Sequence, residues 1–160
     1  MQQMLALSAH LPEVRHAPGD VIAREGDRTG GVWILVSGVL AVRKGDIPVN
    51  TITTPGALVG EISVLLDAAF SATVEVVEPA VLRHAVDGEL FLASNPQILR
   101  MVAVGLAGRL NFVTTYLADL KHQYGDAPGL TMVPEVLRKL ALHRNAPARP
   151  GSAREPDPEY

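Results

Sequence analysis

The chain has 160 residues, of which 48% are hydrophobic and 19% charged, and these proportions predict one soluble globular domain with peripheral helices. The net charge is −3 at neutral pH and no run of Lys and Arg occurs, which argues against nucleic-acid binding by this chain alone. Cysteine is absent, which excludes disulfides, thiolate catalysis and cysteine-based zinc sites and fits a reducing cytoplasm.

The N-terminal half begins with a predicted helix and continues as a β-rich region. Apolar residues recur at helical spacing between Met1 and Leu11, so an amphipathic helix ending near His10, ahead of Pro12, is predicted. Short β-rich segments alternate with Gly, Pro, Asp and Asn from there on, which is typical of an all-β roll or sandwich. We expect strands at 21–24, 32–35, 38–44, 49–53, 57–59, 71–77 and 80–86.

The longest apolar stretch, Val32 to Val42, is interrupted by Ser37 and Gly38, where a turn is predicted. It is well short of the roughly 20 residues that span a bilayer, so no membrane span is expected. Trp33, inside this stretch, is assigned to the core.

The run from Gly60 to Val74 reads Gly-Glu-Ile-Ser-Val-Leu-Leu-Asp-Ala-Ala-Phe-Ser-Ala-Thr-Val. A helix that starts at Gly60 would offer unpaired backbone N–H groups and a partial positive charge to an anion. Glu61 would repel an adjacent phosphate, but an ionised carboxylate is a strong acceptor for a sugar hydroxyl.

This run resembles the phosphate-binding cassette of cyclic nucleotide-binding domains, and residues 60–74 are called the cassette below. Turn glycines such as Gly26 and Gly56 fall at intervals similar to those of that family. The resemblance implies a mainly β fold, a double-stranded β-helix or jelly roll with flanking helices and a long C-terminal helix, and a regulatory module whose ligand is cAMP or cGMP. It implies that the ligand contacts lie among Val59, Gly60, Glu61, Ile62, Ser63, Phe70, Ser71, Ala72 and Thr73.

Phe70 stands where the family cassette carries arginine. Loss of one charge-assisted hydrogen bond costs roughly 1.5–3 kcal/mol, which is about tenfold to a hundredfold in affinity. Two interpretations stay open. In the first, the domain binds its ligand weakly or atypically, with help from Arg24, Arg28 or Arg83. In the second, the domain is degenerate, Phe70 belongs to the core, and the module acts as a dimerisation or docking scaffold.

Helices are predicted again after the β region. A short one is expected at 88–94, and Asn95-Pro96 marks the start of a long one. Apolar residues between Leu99 and Tyr124 alternate steps of four and three, which is the period of a coiled-coil seam. The family resemblance implies that this is the C-helix. We expect a homodimer through Leu99, Leu106, Leu110, Val113, Leu117 and Leu120.

The predicted domain spans 1–124, followed by a short extra helix within 125–145 and a disordered Pro-rich tail at 146–160. The 36 residues after Tyr124 are too few for the winged helix-turn-helix that bacterial regulators of this family append.

The sequence contains none of the common motifs of enzyme active sites. The five histidines have no paired metal-ligand spacing, so no metal site is predicted. Phosphate-binding glycine loops and nucleophile elbows are also missing, so catalysis is not expected.

Overall fold

Two long strands, Val32–Lys44 and Thr73–Ala85, form the centre of an antiparallel sheet. The computed structural model describes residues 2–124 together with 132, 134 and 136–138. The strands of the sheet are β1 Glu13–His16, β2 Val21–Ala23, β3 Val32–Lys44, β4 Ile47–Ile52, β5 Leu58–Val59 and β6 Thr73–Ala85. Their order is β1-β6-β3-β4, with β2 paired to β6 and β5 paired to β3.

The turn predicted at Ser37 and Gly38 is wrong, because β3 runs through these residues as one strand. The pairing of β3 with β6 shifts register on both sides of Ser37, so the extra residues are absorbed as bulges. Gly38 has φ 102°, and a Cβ there would lie 2.5 Å from the Ala80 Cα atom. The sequence therefore marked a bulge where β3 closely approaches its neighbour β6, and not a chain reversal.

Strand β1, which the sequence did not predict, is held by β6. Its residues pair antiparallel with 80–83, and Arg83 forms an ion pair of 2.9 Å with Glu13. Three of its four residues are exposed, so it carries little of the hydrophobic signal that identifies strands. This strand therefore forms because of its long-range pairing with β6.

The core lies on the inner face of the roll. Strand alternation sends Trp33 and Leu35 inward and Val32 and Ile34 to the opposite face, where they are also buried. The inner cluster consists of Ile22, Ala23, Trp33, Leu35, Leu40, Val59, Phe70, Val74, Val76, Ala80 and Leu82.

Four helices accompany the sheet: α1 Gln2–Leu7, α2 Glu61–Leu66, α3 Gly88–Ala93 and α4 Pro96–Tyr124. Helix α1 is shorter than predicted, ending at Leu7. The predicted start of a long helix at Asn95-Pro96 is confirmed. The predicted extra helix within 125–145 and the tail 146–160 lie outside the described residues, apart from 132, 134 and 136–138.

The chain divides into two units, Met1–Gly105 and Leu106–Tyr160, and the first contains the whole sheet. Among the described residues, one helical stretch, Pro96–Gln123, is long and apolar enough to cross a membrane by length and composition alone. This stretch is only 6% buried in the single chain, and the expected absence of a membrane span stays a prediction.

Candidate functional site

The cassette bends where the sequence predicted, at Gly60. This residue caps α2 with φ 99°, and no side chain caps the helix. A Cβ at Gly60 would lie 2.7 Å from the Gly31 carbonyl oxygen and 3.3 Å from Cε1 of Phe70. Only glycine fits both the backbone conformation and the space, so the chain is closely packed at Gly60.

The Phe70 ring is the side chain packed against Gly60. The ring is 6% exposed, and its centroid lies 6.0 Å from that of Trp33 at an interplanar angle of 52°. The backbone is fixed as well, since the Phe70 N–H donates to the Asp27 carbonyl and the Phe70 carbonyl accepts from the Gly26 N–H, both at 2.9 Å. The ring therefore belongs to the inner core and lies beside Gly60.

The other predicted site residues fall into two groups. Val59, Glu61 and Ser63 are buried, with exposed fractions of 4%, 4% and 8%. Ser63 uses its hydroxyl within the cassette, where it donates to the Ala68 carbonyl. The remaining residues lie nearer the surface: Ile62 and Ser71 are exposed, and Ala72 and Thr73 are half-buried.

Thr73 has a structural contact of its own. Its Oγ1 accepts from the backbone N–H of Glu25 at 3.0 Å, and the Glu25 carboxylate in turn accepts from the Gly45 N–H at 2.9 Å. These bonds tie the loop before β3 to the start of β6 and to the turn before β4, and so stabilise the frame around the cassette.

The arginines considered as replacements for the family arginine point to other partners. Arg28 donates to the Asp67 carbonyl at 3.0 Å, and its guanidinium lies 3.9 Å from the Asp67 carboxylate. Arg83 donates to Ser8 and to Glu13 at 3.2 and 2.9 Å. Arg24 is exposed.

A tryptophan–histidine pair, which the sequence did not indicate, lies next to this region. The rings of Trp33 and His84 stack at 4.4 Å with an interplanar angle of 6°. The Nε2 atom of His84 is buried and has no hydrogen-bond partner. Burial, and secondarily the charge of His16, lower the pKa of His84 below its ordinary value. A histidine within an apolar strand is the sequence signal that could have pointed to it.

A cleft of about 390 Å³ lies beside α2, and sequence reasoning did not predict it. Its walls come from α2, the start of α3 and the loop at 28–30, which long-range folding brings together. The lining residues are Arg28, Gly30, Ser63, Val64, Asp67, Ala68, Val86, Asp87 and Glu89. No group of three or more metal-ligating side chains occurs within the described part of the chain.

Comparison with known proteins agrees with this architecture. No curated protein matches the chain, but the model of the cyclic nucleotide-binding domain matches residues 13–92. A structure of PKAR CBD2 bound to Sp-2Cl-cAMPS is 21% identical, with a TM-score of 0.53 over 68% of this chain and 75% of that one. A structure from a cyclic-GMP-dependent signalling pathway in bacterial phytopathogenesis is 23% identical, with a TM-score of 0.57 over 68% and 94%.

A third structure is the N-terminal domain of a transcriptional regulator from Streptomyces coelicolor A3(2), which is 23% identical, with a TM-score of 0.50 over 70% of this chain and 84% of that one. At these identities the structures support the β-roll fold, while the family model covers half of the chain. The chain belongs to the cyclic nucleotide-binding domain family.

Proposed function

We propose that this domain is a cytoplasmic regulatory module that binds a cyclic mononucleotide weakly, because Phe70 has to leave the cassette before the phosphate can enter. The observation that carries the proposal is the contact between the Phe70 ring and Gly60. In the family, the cyclic phosphate faces the backbone N–H groups that follow this glycine. Here the Phe70 ring lies beside that glycine.

The architecture that would receive the nucleotide is otherwise retained. Helix α2 begins after a left-handed glycine, and the start of an α-helix directs backbone N–H groups and a partial positive charge toward an anion. Glu61 is buried at the start of this helix, at the position that the family uses for the ribose hydroxyl. Anion binding by backbone and sugar binding by carboxylate are both compatible with this chain.

The affinity cost has two parts. The missing guanidinium costs roughly 1.5–3 kcal/mol. Moving the buried phenyl ring into water costs about 1.5–3 kcal/mol more. Together these costs amount to about a hundredfold to ten-thousandfold in affinity relative to an arginine-containing relative.

The output would pass through α4. If a nucleotide binds one arrangement of this helix better than another, it shifts the population between them. Of the predicted seam residues, Leu99, Leu110 and Val113 are exposed by 46%, 47% and 46% in the single chain. Apolar side chains left at the period of a coiled-coil seam favour pairing with a second copy.

The second candidate function is a scaffold that binds no ligand. It is favoured by the same ring, which is part of the inner core and has backbone bonds on both sides. In that case dimerisation or docking through α4 would be the whole function, and Phe70 would be structural.

Calorimetric titration with cAMP and cGMP separates the two candidates. We expect weak heat with the wild type and at least about tenfold tighter binding by Phe70→Arg, which restores the guanidinium and removes the ring. Phe112→Arg is the matched control, since the same exchange is made at a side chain that is 71% exposed.

No heat with either the wild type or a Phe70→Arg variant whose Trp33 fluorescence shows it to be folded would contradict nucleotide binding. Heat with Phe70→Arg alone would favour the scaffold, with Phe70 as the change that abolished binding. Improvement by Phe112→Arg as well would show that added positive charge, and not the cassette, is responsible.

A further inference from the structure

We propose that the loop between β2 and β3 is an autoinhibitory strap that holds the cassette closed, with the Arg28–Asp67 contact as the point where it opens. The strap consists of residues 24–31, which lie between Ala23 and Val32. What the strap would inhibit, the entry of a cyclic nucleotide, rests on the proposed function. Its contacts with the cassette are formed within the chain itself.

The strap contacts the cassette at both of its ends. At one end, the Gly31 carbonyl oxygen lies 2.7 Å from the position that a Cβ at Gly60 would take. At the other end, the Glu25 N–H donates to Oγ1 of Thr73 at 3.0 Å. Any movement of the whole cassette away from the strap therefore has to break contacts along the length of this one loop.

The backbone of Phe70 is bonded to the middle of the strap. Its N–H donates to the Asp27 carbonyl, and its carbonyl accepts from the Gly26 N–H, both at 2.9 Å. These two bonds hold the Cα atom of Phe70 against the strap. If the ring leaves the core by a shift of its backbone segment, two backbone hydrogen bonds are lost in addition to the burial of the ring.

Arg28 holds the segment that precedes Phe70. Its guanidinium donates to the Asp67 carbonyl at 3.0 Å and lies 3.9 Å from the Asp67 carboxylate. Asp67 ends α2 with φ 48°, and no other non-glycine residue of the described part of the chain has a positive φ. Left-handed residues of this kind persist where their surroundings hold them, and they are common in switch regions. Arg28 supplies such a hold from the strap.

The Arg28–Asp67 contact is the part of the strap that is most open to water. The side chains of Arg28 and Asp67 are 66% and 92% exposed, whereas Phe70 is 6% exposed. Exposed ion pairs are weak and are screened by salt, so opening should begin here. Loss of Arg28 should raise the population of the open cassette. The affinity for nucleotide should then rise by the same factor, because a larger fraction of the protein is able to bind.

Amide hydrogen exchange of the full chain, measured without nucleotide, tests the strap directly. The reporters are the N–H groups of Phe70 and Gly26, because their bonds join the cassette to the strap. We expect Arg28→Gln to speed the exchange of both about threefold to tenfold. The Leu35 N–H, which donates to the Ala57 carbonyl at 2.9 Å, reports opening of the β-roll and should change by less than about twofold.

Arg43→Gln is the matched control. The Arg43 guanidinium lies 3.9 Å from the Glu75 carboxylate, which is the same separation as in the strap, and this pair is also partly exposed. The control should leave the exchange of the reporters unchanged within about twofold. Asp67→Asn removes the ion pair but keeps the backbone carbonyl and a residue type that tolerates positive φ. It should therefore speed exchange less than Arg28→Gln does.

Two exchange results would overturn the proposal. One is equal exchange of the Phe70 and Gly26 amides in the wild type, Arg28→Gln and Arg43→Gln. The other is acceleration of the Leu35 amide by the same factor as the reporters, which would mean that Arg28 stabilises the whole unit and not the closed cassette.

Calorimetric titration of the same variants with cAMP separates the strap from the proposed function. A gain in affinity by Arg28→Gln that equals its gain in exchange would support both. Heat with the wild type that Arg28→Gln does not increase in affinity would overturn the autoinhibitory role of the strap. Faster exchange in Arg28→Gln with no heat from any variant would support the strap as the hold on the cassette and contradict nucleotide binding.

Discussion

Replacing Phe70 by alanine should destabilise the first unit strongly, because the ring is both core and cover of the cassette. The side chain is 6% exposed, so nearly all of its apolar surface would be lost from the core. Truncation of a buried phenylalanine costs about 3–5 kcal/mol, which includes the cavity left behind. Of this, the aromatic contact with Trp33 contributes about 0.5–1.5 kcal/mol.

Trp33 provides the assay, as it is the only tryptophan and lies against Phe70. Urea unfolding followed by its fluorescence should give a free energy of unfolding lower by about 3–5 kcal/mol for Phe70→Ala. Phe112→Ala, at a ring 71% exposed, should change it by no more than about 0.5 kcal/mol. Equal, small effects of the two substitutions would refute the placement of Phe70 in the core.

Three further predictions concern other parts of the chain. The pKa of His84 lies below its ordinary value of 6.5, so the folded state disfavours the protonated imidazole and the free energy of unfolding should fall as the pH drops below 6.5. Urea unfolding at pH 8 and pH 5.5 should show a smaller fall for His84→Phe than for the wild type. An unchanged fall would contradict the assignment of this pH dependence to His84. Gly38→Ala should lower the free energy of unfolding by more than about 2 kcal/mol, against about 1 kcal/mol for Gly45→Ala, which has positive φ but open space around it. Equal shifts in the melting temperature would argue against the close approach of β3 to β6 at Gly38. Leu110→Glu should shift the sedimentation coefficient toward that of the monomer, while the control Thr115→Glu should not. A wild type that stays monomeric at high micromolar concentration would count against the predicted dimer seam of α4.

The sequence was informative where local chemistry decides the structure. The Gly-Glu step of the cassette requires a left-handed glycine at a helix start, and Gly60 adopts that conformation. Asn95-Pro96 similarly determines where α4 begins. The strands were also found, but the predicted pairs 32–35 with 38–44 and 71–77 with 80–86 are the single strands β3 and β6, because register shifts where Ser37–Leu40 face Val76–Val81 absorb residues that resemble turns.

Long-range contacts explain what the sequence could not reveal. Strand β1 exists through its pairing with β6 and the ion pair of Glu13 with Arg83. The direction of the Phe70 ring depends on Trp33, which is 37 positions away in the sequence. The cleft beside α2 combines the loop at 28–30 with α2 and α3. Asp87 was the one accessible signal there, since an aspartate before a helix is a common N-cap.

The central claim is that the Phe70 ring covers Gly60 in the nucleotide-free protein. Nuclear Overhauser effects between the ring protons of Phe70 and the Hα protons of Gly60 test it most directly, in a sample whose phenylalanine rings are selectively protonated. The contact of 3.3 Å between Cε1 and the Cβ position of Gly60 predicts strong cross-peaks without ligand and their loss on saturation with cAMP or cGMP. Absence of these cross-peaks in the nucleotide-free protein would contradict the account.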